Sequence, residues 1–272
     1  ICLRNTGNTL RRAGRPEEAL TAYHQALEAY RQVEGSERSQ AVCILDTGNA
    51  LGDVGRYEEA LATYRQALEA YRQVEGTERR QALVLFNIGD CLEDLRHYQE
   101  AVTAHEQSLD LYQQIKGTER QQAICRENMA NCLRRAGRPE EAMTAYRQAL
   151  ETYRLTEDSE RDQADCMLST GNVLDDVGRY EEALTAYRQA LDLYRKVGGT
   201  GRQQAVCLYR AGSEMAKLER YEEVQEAFQD AVALYPGLRE EFGQDEGTLR
   251  TSWSAWCFAR ERTHSRRFRR CL

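Results

Sequence analysis

The sequence has no long uncharged apolar run, and it contains little proline, histidine or tryptophan. A helix needs roughly 18 consecutive apolar residues to span a bilayer, and no stretch approaches that length. No secretory signal pattern opens the chain. Nine cysteines occur, but they lie inside helical patterns and not in the short, loop-rich context of a secreted disulfide scaffold. These absences exclude membrane-spanning and disulfide-scaffold classes, and we expect a reducing, cytoplasmic setting.

Only three prolines interrupt the 272 residues, and charged side chains make up 30% of them. Such a composition, rich in Ala, Leu, Glu, Arg and Gln, favours helix throughout. The net charge of −7 is unevenly distributed, because residues 259–272 contain six arginines and one glutamate. The sequence therefore predicts an all-α chain with an acidic body and a basic end.

An internal repeat of 41 residues is the strongest signal in the sequence. The segment GRPEEALTAYHQALEAYRQVEG starts at Gly14, and close copies start at Gly55 and Gly178. One tyrosine position recurs in all six copies. Its members are Tyr30, Tyr71, Tyr112, Tyr153, Tyr194 and Tyr235. We expect these tyrosines to be buried between neighbouring helices, over a repeat region of residues 1–236.

Each repeat is predicted to contain two helices. The apolar period breaks at one turn position, and an amphipathic run with acidic residues in its first turn follows. The six turn positions are Gly14, Gly55, Arg96, Gly137, Gly178 and Glu219. Ser36, Thr77 and Thr118 precede the first helix of the next repeat, where we expect their hydroxyls to cap it.

The spacing of small and aromatic residues resembles that of the tetratricopeptide repeats. Gly7, Ala19, Tyr23 and Ala26 match the family signature, and the second and fifth repeats match it in the same way. The length of 41 residues differs from the usual 34 and resembles the repeats of kinesin light chains and of Leu-Gly-Asn polarity adaptors. The resemblance implies a right-handed α-solenoid of six helix-turn-helix repeats that binds a peptide or protein in a concave groove.

One polar stripe runs along the predicted first helices at spacings of four, three and four residues, and it contains every asparagine of the chain. A carboxamide offers a donor and an acceptor together, so a row of them can pair with an extended backbone. The alternative is an exposed helix face that was copied by duplication. The residues expected to bind a peptide are Asn8, Asn49, Asn87, Asp90, Asn128, Asn131, Asn172, Asp53, Asp94, Arg135 and Asp176.

Acidic residues dominate this stripe in the second to fifth repeats, where six aspartates accompany Arg135. A partner with Lys or Arg in its middle would complement that charge. We therefore expect a protein or peptide partner of this kind, and no membrane.

Catalytic, cofactor and metal motifs are missing from the sequence. It has no phosphate-binding loop, no nucleophile elbow and no metal-ligand spacing. His105 takes the place of a packing tyrosine, and the other histidines have no clustered partners. Five cysteines share one repeat position. These are Cys2, Cys43, Cys125, Cys166 and Cys207. We expect all five to be reduced, buried packing residues, with no enzyme activity and no cofactor.

Residues 237–272 depart from the repeat. Leu249, Trp253, Trp256 and Cys257 are spaced as one helical face, which predicts a cap on the repeats. The arginine-rich end is either a solvated tail or a nucleic-acid contact. Because the chain starts at Ile1 and not at Met, we also expect a longer parent protein, and a docking arm of a larger signalling enzyme is an alternative to a free-standing adaptor.

Overall fold

The computed structural model describes residues 2–237, and within that range it contains twelve α-helices and no β-strand. Consecutive helices pack as antiparallel pairs, so the fold is an all-α solenoid of helical repeats. The predicted C-terminal cap and the arginine-rich end lie outside the described residues. No helix among the described ones is apolar and long enough to cross a bilayer.

The chain divides into two compact units, residues 1–149 and 150–272. Unit 1 contains α1 (Cys2–Arg12), α2 (Pro16–Arg31), α3 (Glu37–Asp53), α4 (Tyr57–Arg72), α5 (Glu78–Asp94), α6 (Tyr98–Gln113) and α7 (Glu119–Arg135). The division falls within α8 (Pro139–Arg154). Unit 2 continues with α9 (Glu160–Asp176), α10 (Tyr180–Lys196), α11 (Gly201–Lys217) and α12 (Tyr221–Leu234). Odd-numbered helices are the first helices of the six repeats.

The close approach of paired helices depends on a glycine of the first helix and a ring of the second. A Cβ on Gly48 would lie 2.6 Å from the Tyr64 ring, and one on Gly7 would lie 2.5 Å from the Tyr23 ring. Real Cβ atoms do not approach that closely, so the ring fills the space that the missing side chain leaves. The glycine and aromatic positions of the repeat signature are therefore packing partners.

All six predicted turn positions adopt a left-handed backbone conformation, including the two that are not glycine. The φ angle is +62° at Arg96 and +59° at Glu219, against +72° at Gly14. The turn after α5 closes with hydrogen bonds from the amide of His97 to the Leu92 carbonyl and from the amide of Arg96 to the Glu93 carbonyl. This is the Schellman pattern of helix termination. The predicted turns are confirmed.

The predicted capping role of the Ser and Thr hydroxyls is wrong. Ser36 and Thr77 occupy the N-cap positions of α3 and α5, but neither side chain makes a capping hydrogen bond. The Thr77 hydroxyl donates instead to the carbonyl of Tyr71, at the end of the preceding helix, at 2.7 Å. Gln81 then donates to that hydroxyl at 3.1 Å. The hydroxyl thus gives a second donor to a carbonyl at the end of the preceding helix, which also accepts from the amide of Val74 at 3.0 Å.

The repeated tyrosines are buried in the middle of the array and only partly buried at its ends. Tyr71, Tyr112, Tyr153 and Tyr194 are at most 5% exposed, whereas Tyr30 and Tyr235 are intermediate. The Tyr194 hydroxyl bonds to Asp165 in α9. The expected burial is therefore confirmed for four of the six tyrosines and is only partial for Tyr30 and Tyr235.

The expected burial of the repeat-position cysteines holds for Cys43, Cys125, Cys166 and Cys207, which are fully buried. It is wrong for Cys2, which is exposed. Burial raises the pKa of the Cys43 thiol to about 11, and this thiol donates to the Tyr23 carbonyl at 3.2 Å. The buried cysteines are packing residues with unreactive thiols.

Candidate protein-binding surface

The first helices of unit 1 are joined by a row of polar contacts along the predicted stripe. Helix α1 touches α3, and α5 touches α7. The contacts in chain order are Arg4 with Asp46, Arg11 with Asp53, Asn49 with Asn87, Asp90 with Asn128, and Glu93 with Arg135. Side chains of this stripe therefore lie on one surface of unit 1. We call it the first-helix surface.

A cavity of about 450 Å³ opens on the first-helix surface between α3 and α5. Five of the predicted binding residues line it together. These are Asn49, Asp53, Asn87, Asp90 and Asp94. Arg11, Leu83 and two tyrosines complete its walls. The size and the mixed polar lining are typical of a site that accepts one or two side chains of a bound segment.

Four asparagines of the stripe each accept a hydrogen bond from a buried tyrosine of their own repeat. The Tyr23 hydroxyl donates to Asn8 at 2.7 Å, and the Tyr64 hydroxyl donates to Asn49 at 3.0 Å. The same bond joins Tyr146 to Asn131 and Tyr187 to Asn172. Each of these amide oxygens thus has one of its two acceptor positions occupied inside the fold. The amide NH₂ remains as the donor.

The third and sixth repeats change both members of this pair together. The third repeat has His105 and Asp90 where the others have tyrosine and asparagine, and the sixth has Phe228 and Ser213. The paired change follows from the chemistry, since a phenylalanine ring leaves no hydroxyl for an amide to accept. The asparagines are therefore partly structural.

Asn87 and Asn128 play a different part. Asn87 donates its NH₂ to the Asn49 oxygen at 3.0 Å, and Asn128 donates to the Asp90 carboxylate at 2.9 Å. Each of them keeps its own oxygen for another donor. The Asn49–Asn87 pair therefore places the NH₂ group of Asn49 beside the side-chain oxygen of Asn87. This donor and this acceptor match the alternating groups of an extended backbone.

The acidic character of the surface is weaker than the sequence implies. Asp46 and Asp53 are paired with Arg4 and Arg11 at 2.7 and 2.9 Å. Burial raises the pKa of Asp90 to about 7, against the opposing hydrogen bond from Asn128. Asp94 is exposed. The negative charge of the unit 1 cavity is therefore concentrated on Asp94.

In unit 2, Asn172 lies on α9 and holds the Tyr187 hydroxyl, and the predicted residue Asp176 is exposed at the end of the same helix. A neighbouring ion group, which the sequence did not indicate, joins α9 to α11. The Lys217 ammonium contacts Asp175 and lies 3.1 Å from the fully buried Glu214. Burial and the charge of Asp175 raise the pKa of Glu214 to about 7.

His105 packs over Gly89 as the equivalent tyrosines pack over their glycines, which confirms its predicted packing role. Its ring is fully buried and packs edge-on against Phe86 at a centroid distance of 5.2 Å. It lies beside Asp90, Glu93 and Cys132. Residues 93, 105 and 132 come from three successive helices, so no sequence spacing brings them together.

The match to a known family follows from the repeats themselves. A tetratricopeptide repeat model covers residues 1–73, 80–154 and 163–237, and a second model of the same description covers 45–114 and 127–197. The chain belongs to the tetratricopeptide repeat family. The search of curated proteins found no match to the chain.

Solved tetratricopeptide-like structures resemble this chain in fold at low sequence identity. BtubC (BKLC) from P. vanneervenii is 14% identical, with a TM-score of 0.70 over 82% of this chain and 92% of its own. A putative kinesin light chain with nearly identical repeats from Podosopora anserina is 16% identical, with a TM-score of 0.62 over 73% and 96%. Apo RapI is 17% identical, with a TM-score of 0.71 over 89% and 69%.

Proposed function

We propose that this tetratricopeptide repeat chain is a protein-interaction scaffold that binds an extended protein segment on the first-helix surface of unit 1. The observation that carries the proposal is the cavity of about 450 Å³ that gathers Asn49, Asn87, Asp53, Asp90 and Asp94. Its walls combine amide groups, the exposed carboxylates of Asp53 and Asp94, and aromatic surface. Such groups can fix a peptide backbone and a cationic side chain.

The backbone of the segment pairs with the Asn49–Asn87 amides. The Asn49 NH₂ donates to a carbonyl of the segment, and the Asn87 oxygen accepts from a backbone amide. Because the two asparagines already hold each other at 3.0 Å, little side-chain entropy is lost when the segment binds. Backbone recognition of this kind gives affinity with little dependence on the sequence of the partner.

Asp94 supplies the preference for a basic residue. It is exposed beside the cavity, while the nearby Asp53 is neutralised by Arg11. A Lys or Arg of the segment placed over Asp94 forms an ion pair in a partly enclosed setting. The proposed preference is therefore for one basic side chain near the cavity. The six aspartates of the polar stripe alone predict a broader basic stretch in the partner.

A structural relative supports an interaction role. A Rap protein was solved in complex with the Competence and Sporulation Factor, and it resembles this chain with a TM-score of 0.60 at 18% identity. The likeness itself concerns the fold, and the binding surface is argued from the residues of this chain.

The proposal is tested by selection from a library of random linear peptides displayed on phage, with the whole chain as bait. We expect enriched peptides to share a Lys or Arg and to lose binding when the bait carries Asp94→Lys. The matched control is Glu106→Lys, which makes the same charge change at an exposed position on α6. Failure to enrich any peptide, or equal loss with both variants, would overturn the proposal.

A further inference from the structure

Side chains of three successive helices meet at one point in unit 1. Glu93 comes from α5, His105 from α6 and Cys132 from α7. One ligand atom from each lies within 4.8 Å of the other two, and the Cys132 sulfur is 3.7 Å from Oε2 of Glu93. A carboxylate oxygen, an imidazole nitrogen and a sulfur in such a group form the ligand set of a transition-metal site.

His105 provides an independent observation. Its side chain is fully buried, and neither ring nitrogen has a hydrogen-bond partner among the described residues. Buried polar groups are nearly always paired, and an unpaired one costs on the order of 1–3 kcal/mol. Nε2 lies 3.7 Å from Asp90 Oδ1, too far for a hydrogen bond. The other repeats avoid this cost with their Tyr–Asn or Phe–Ser pairs.

We propose that Glu93, His105 and Cys132 form a zinc-binding site within the third and fourth repeats, with water in the fourth coordination position. Ligand atoms on a tetrahedral zinc ion lie about 3.3–3.8 Å apart. The Cys132–Glu93 separation of 3.7 Å already matches that spacing. The widest separation among the three primary ligands needs to contract by about 1 Å, which side-chain rotation provides.

The surrounding contacts suit metal binding. Arg135 holds the other oxygen of Glu93 at 3.3 Å, which orients the carboxylate toward Cys132. Cys132 binds the ion as a thiolate, so its thiol proton passes to solvent on binding.

The equivalent positions in unit 2 surround the Lys217 ammonium, whose counterpart in unit 1 is Arg135 beside Glu93. The positions that correspond to Glu93 and Cys132 are Asp175 and Glu214, and the Lys217 ammonium contacts both carboxylates. A carboxylate that pairs with an ammonium in unit 2 is a thiol in unit 1, and a tyrosine that pairs with an amide is a histidine. Thiolate and imidazole both bind transition metals.

The test uses the whole chain, reduced and freed of metal with a chelator, and titrated with Co²⁺ as a spectroscopic substitute for Zn²⁺. We expect one Co²⁺ per chain, a thiolate-to-cobalt charge-transfer band, and loss of that band when Zn²⁺ is added. Cys132→Ala should remove the band and weaken binding at least 100-fold, roughly the upper range for loss of a mere outer-shell partner. Cys91→Ala is the control, because Cys91 is buried at the same position one repeat earlier and bonds to the Tyr57 carbonyl.

A second variant excludes a merely structural effect of removing a buried thiol. Asp90→Asn with His105→Tyr gives the third repeat the pair that four other repeats contain, so we expect it to fold and to lose the metal. Absence of a thiolate band in the native chain, or a band that survives in Cys132→Ala or in the double variant, would overturn the proposal. The readout involves no peptide, so its failure would leave the proposed function untouched.

Discussion

The hydroxyl of Tyr64 donates a hydrogen bond to Oδ1 of Asn49 at 3.0 Å, across the helix pair of the second repeat. The tyrosine ring fills the space over Gly48, and its side chain is 6% exposed. Asn49 therefore faces two ways: its oxygen completes the core, while its NH₂ lies at the cavity of the first-helix surface. Any substitution at this position alters the fold and the surface together.

Asn49→Ala should lower the free energy of unfolding by about 1–3 kcal/mol, because it leaves a buried hydroxyl without its acceptor. Adding Tyr64→Phe removes that hydroxyl, as the sixth repeat does with Phe228 and Ser213. The free energy of unfolding of the double variant should therefore fall by less than the sum of the losses in the two single variants, with a coupling energy of about 0.5–1.5 kcal/mol. Urea unfolding of the four proteins measures this coupling, and strict additivity would contradict the pairing.

Arg96→Gly should stabilise the chain by about 1 kcal/mol, since Arg96 has a φ of +62°, a conformation in which a side chain is strained. Gly137 has the same role one repeat later, at +74°, so Gly137→Ala should have the opposite effect. The midpoints of chemical unfolding report both changes. If Arg96→Gly destabilises the chain as much as Gly137→Ala does, the left-handed backbone conformation does not determine the stability of these turns.

Native thiol labelling should separate Cys2 from Cys43, which occupy the same repeat position. Cys2 is exposed, whereas Cys43 is buried with a pKa raised to about 11. We expect Cys2 to react with iodoacetamide at least about 100-fold faster, because Cys43 must wait for local unfolding. Mass spectrometry of the labelled peptides gives both rates. Similar rates would show that α3 does not shield Cys43.

Glu214 should make the stability of the chain depend on pH between about 4.5 and 7. Its pKa is raised to about 7 in the folded state, so the folded chain holds a proton there that the unfolded chain has lost. The stabilisation that protonated Glu214 gives the folded chain is fully present below the pKa of the unfolded state and is lost as the pH rises through 7. As the pH rises from 5 to 8, the free energy of unfolding of the Glu214→Gln variant should therefore increase by about 1–3 kcal/mol relative to that of the native chain. A difference that is constant with pH would contradict this assignment.

Most of the fold could be predicted from the repeat period. Positions such as Gly14, Arg96 and Glu219 recur every 41 residues or multiples of it, so the turn of one copy predicts the others even where glycine is replaced. Burial of the recurring tyrosines was predictable for the same reason. The period did not predict that Tyr30 and Tyr235 are only partly buried.

The partner atoms of the binding stripe were not predictable from spacing alone. Asn49 and Tyr64 are separated by 15 residues on different helices, and only helix packing shows that they touch. A signal was nevertheless present, because the change from tyrosine to His105 coincides with the change from asparagine to Asp90. The Glu93–His105–Cys132 group has no such signal, since it occurs once and spans three helices.

The central claim, that unit 1 binds a protein segment through its first-helix surface, is tested most directly by the affinity of one selected, fluorescently labelled peptide. Fluorescence anisotropy should compare the native chain with Asn87→Ala, Asp94→Lys and Glu106→Lys. Asn87→Ala removes an amide that holds no buried tyrosine, and should weaken binding about 2- to 12-fold. Asp94→Lys should weaken it on the order of 10-fold. Glu106→Lys should leave the dissociation constant unchanged. Unchanged affinity in both surface variants, with all four proteins folded, would contradict the account.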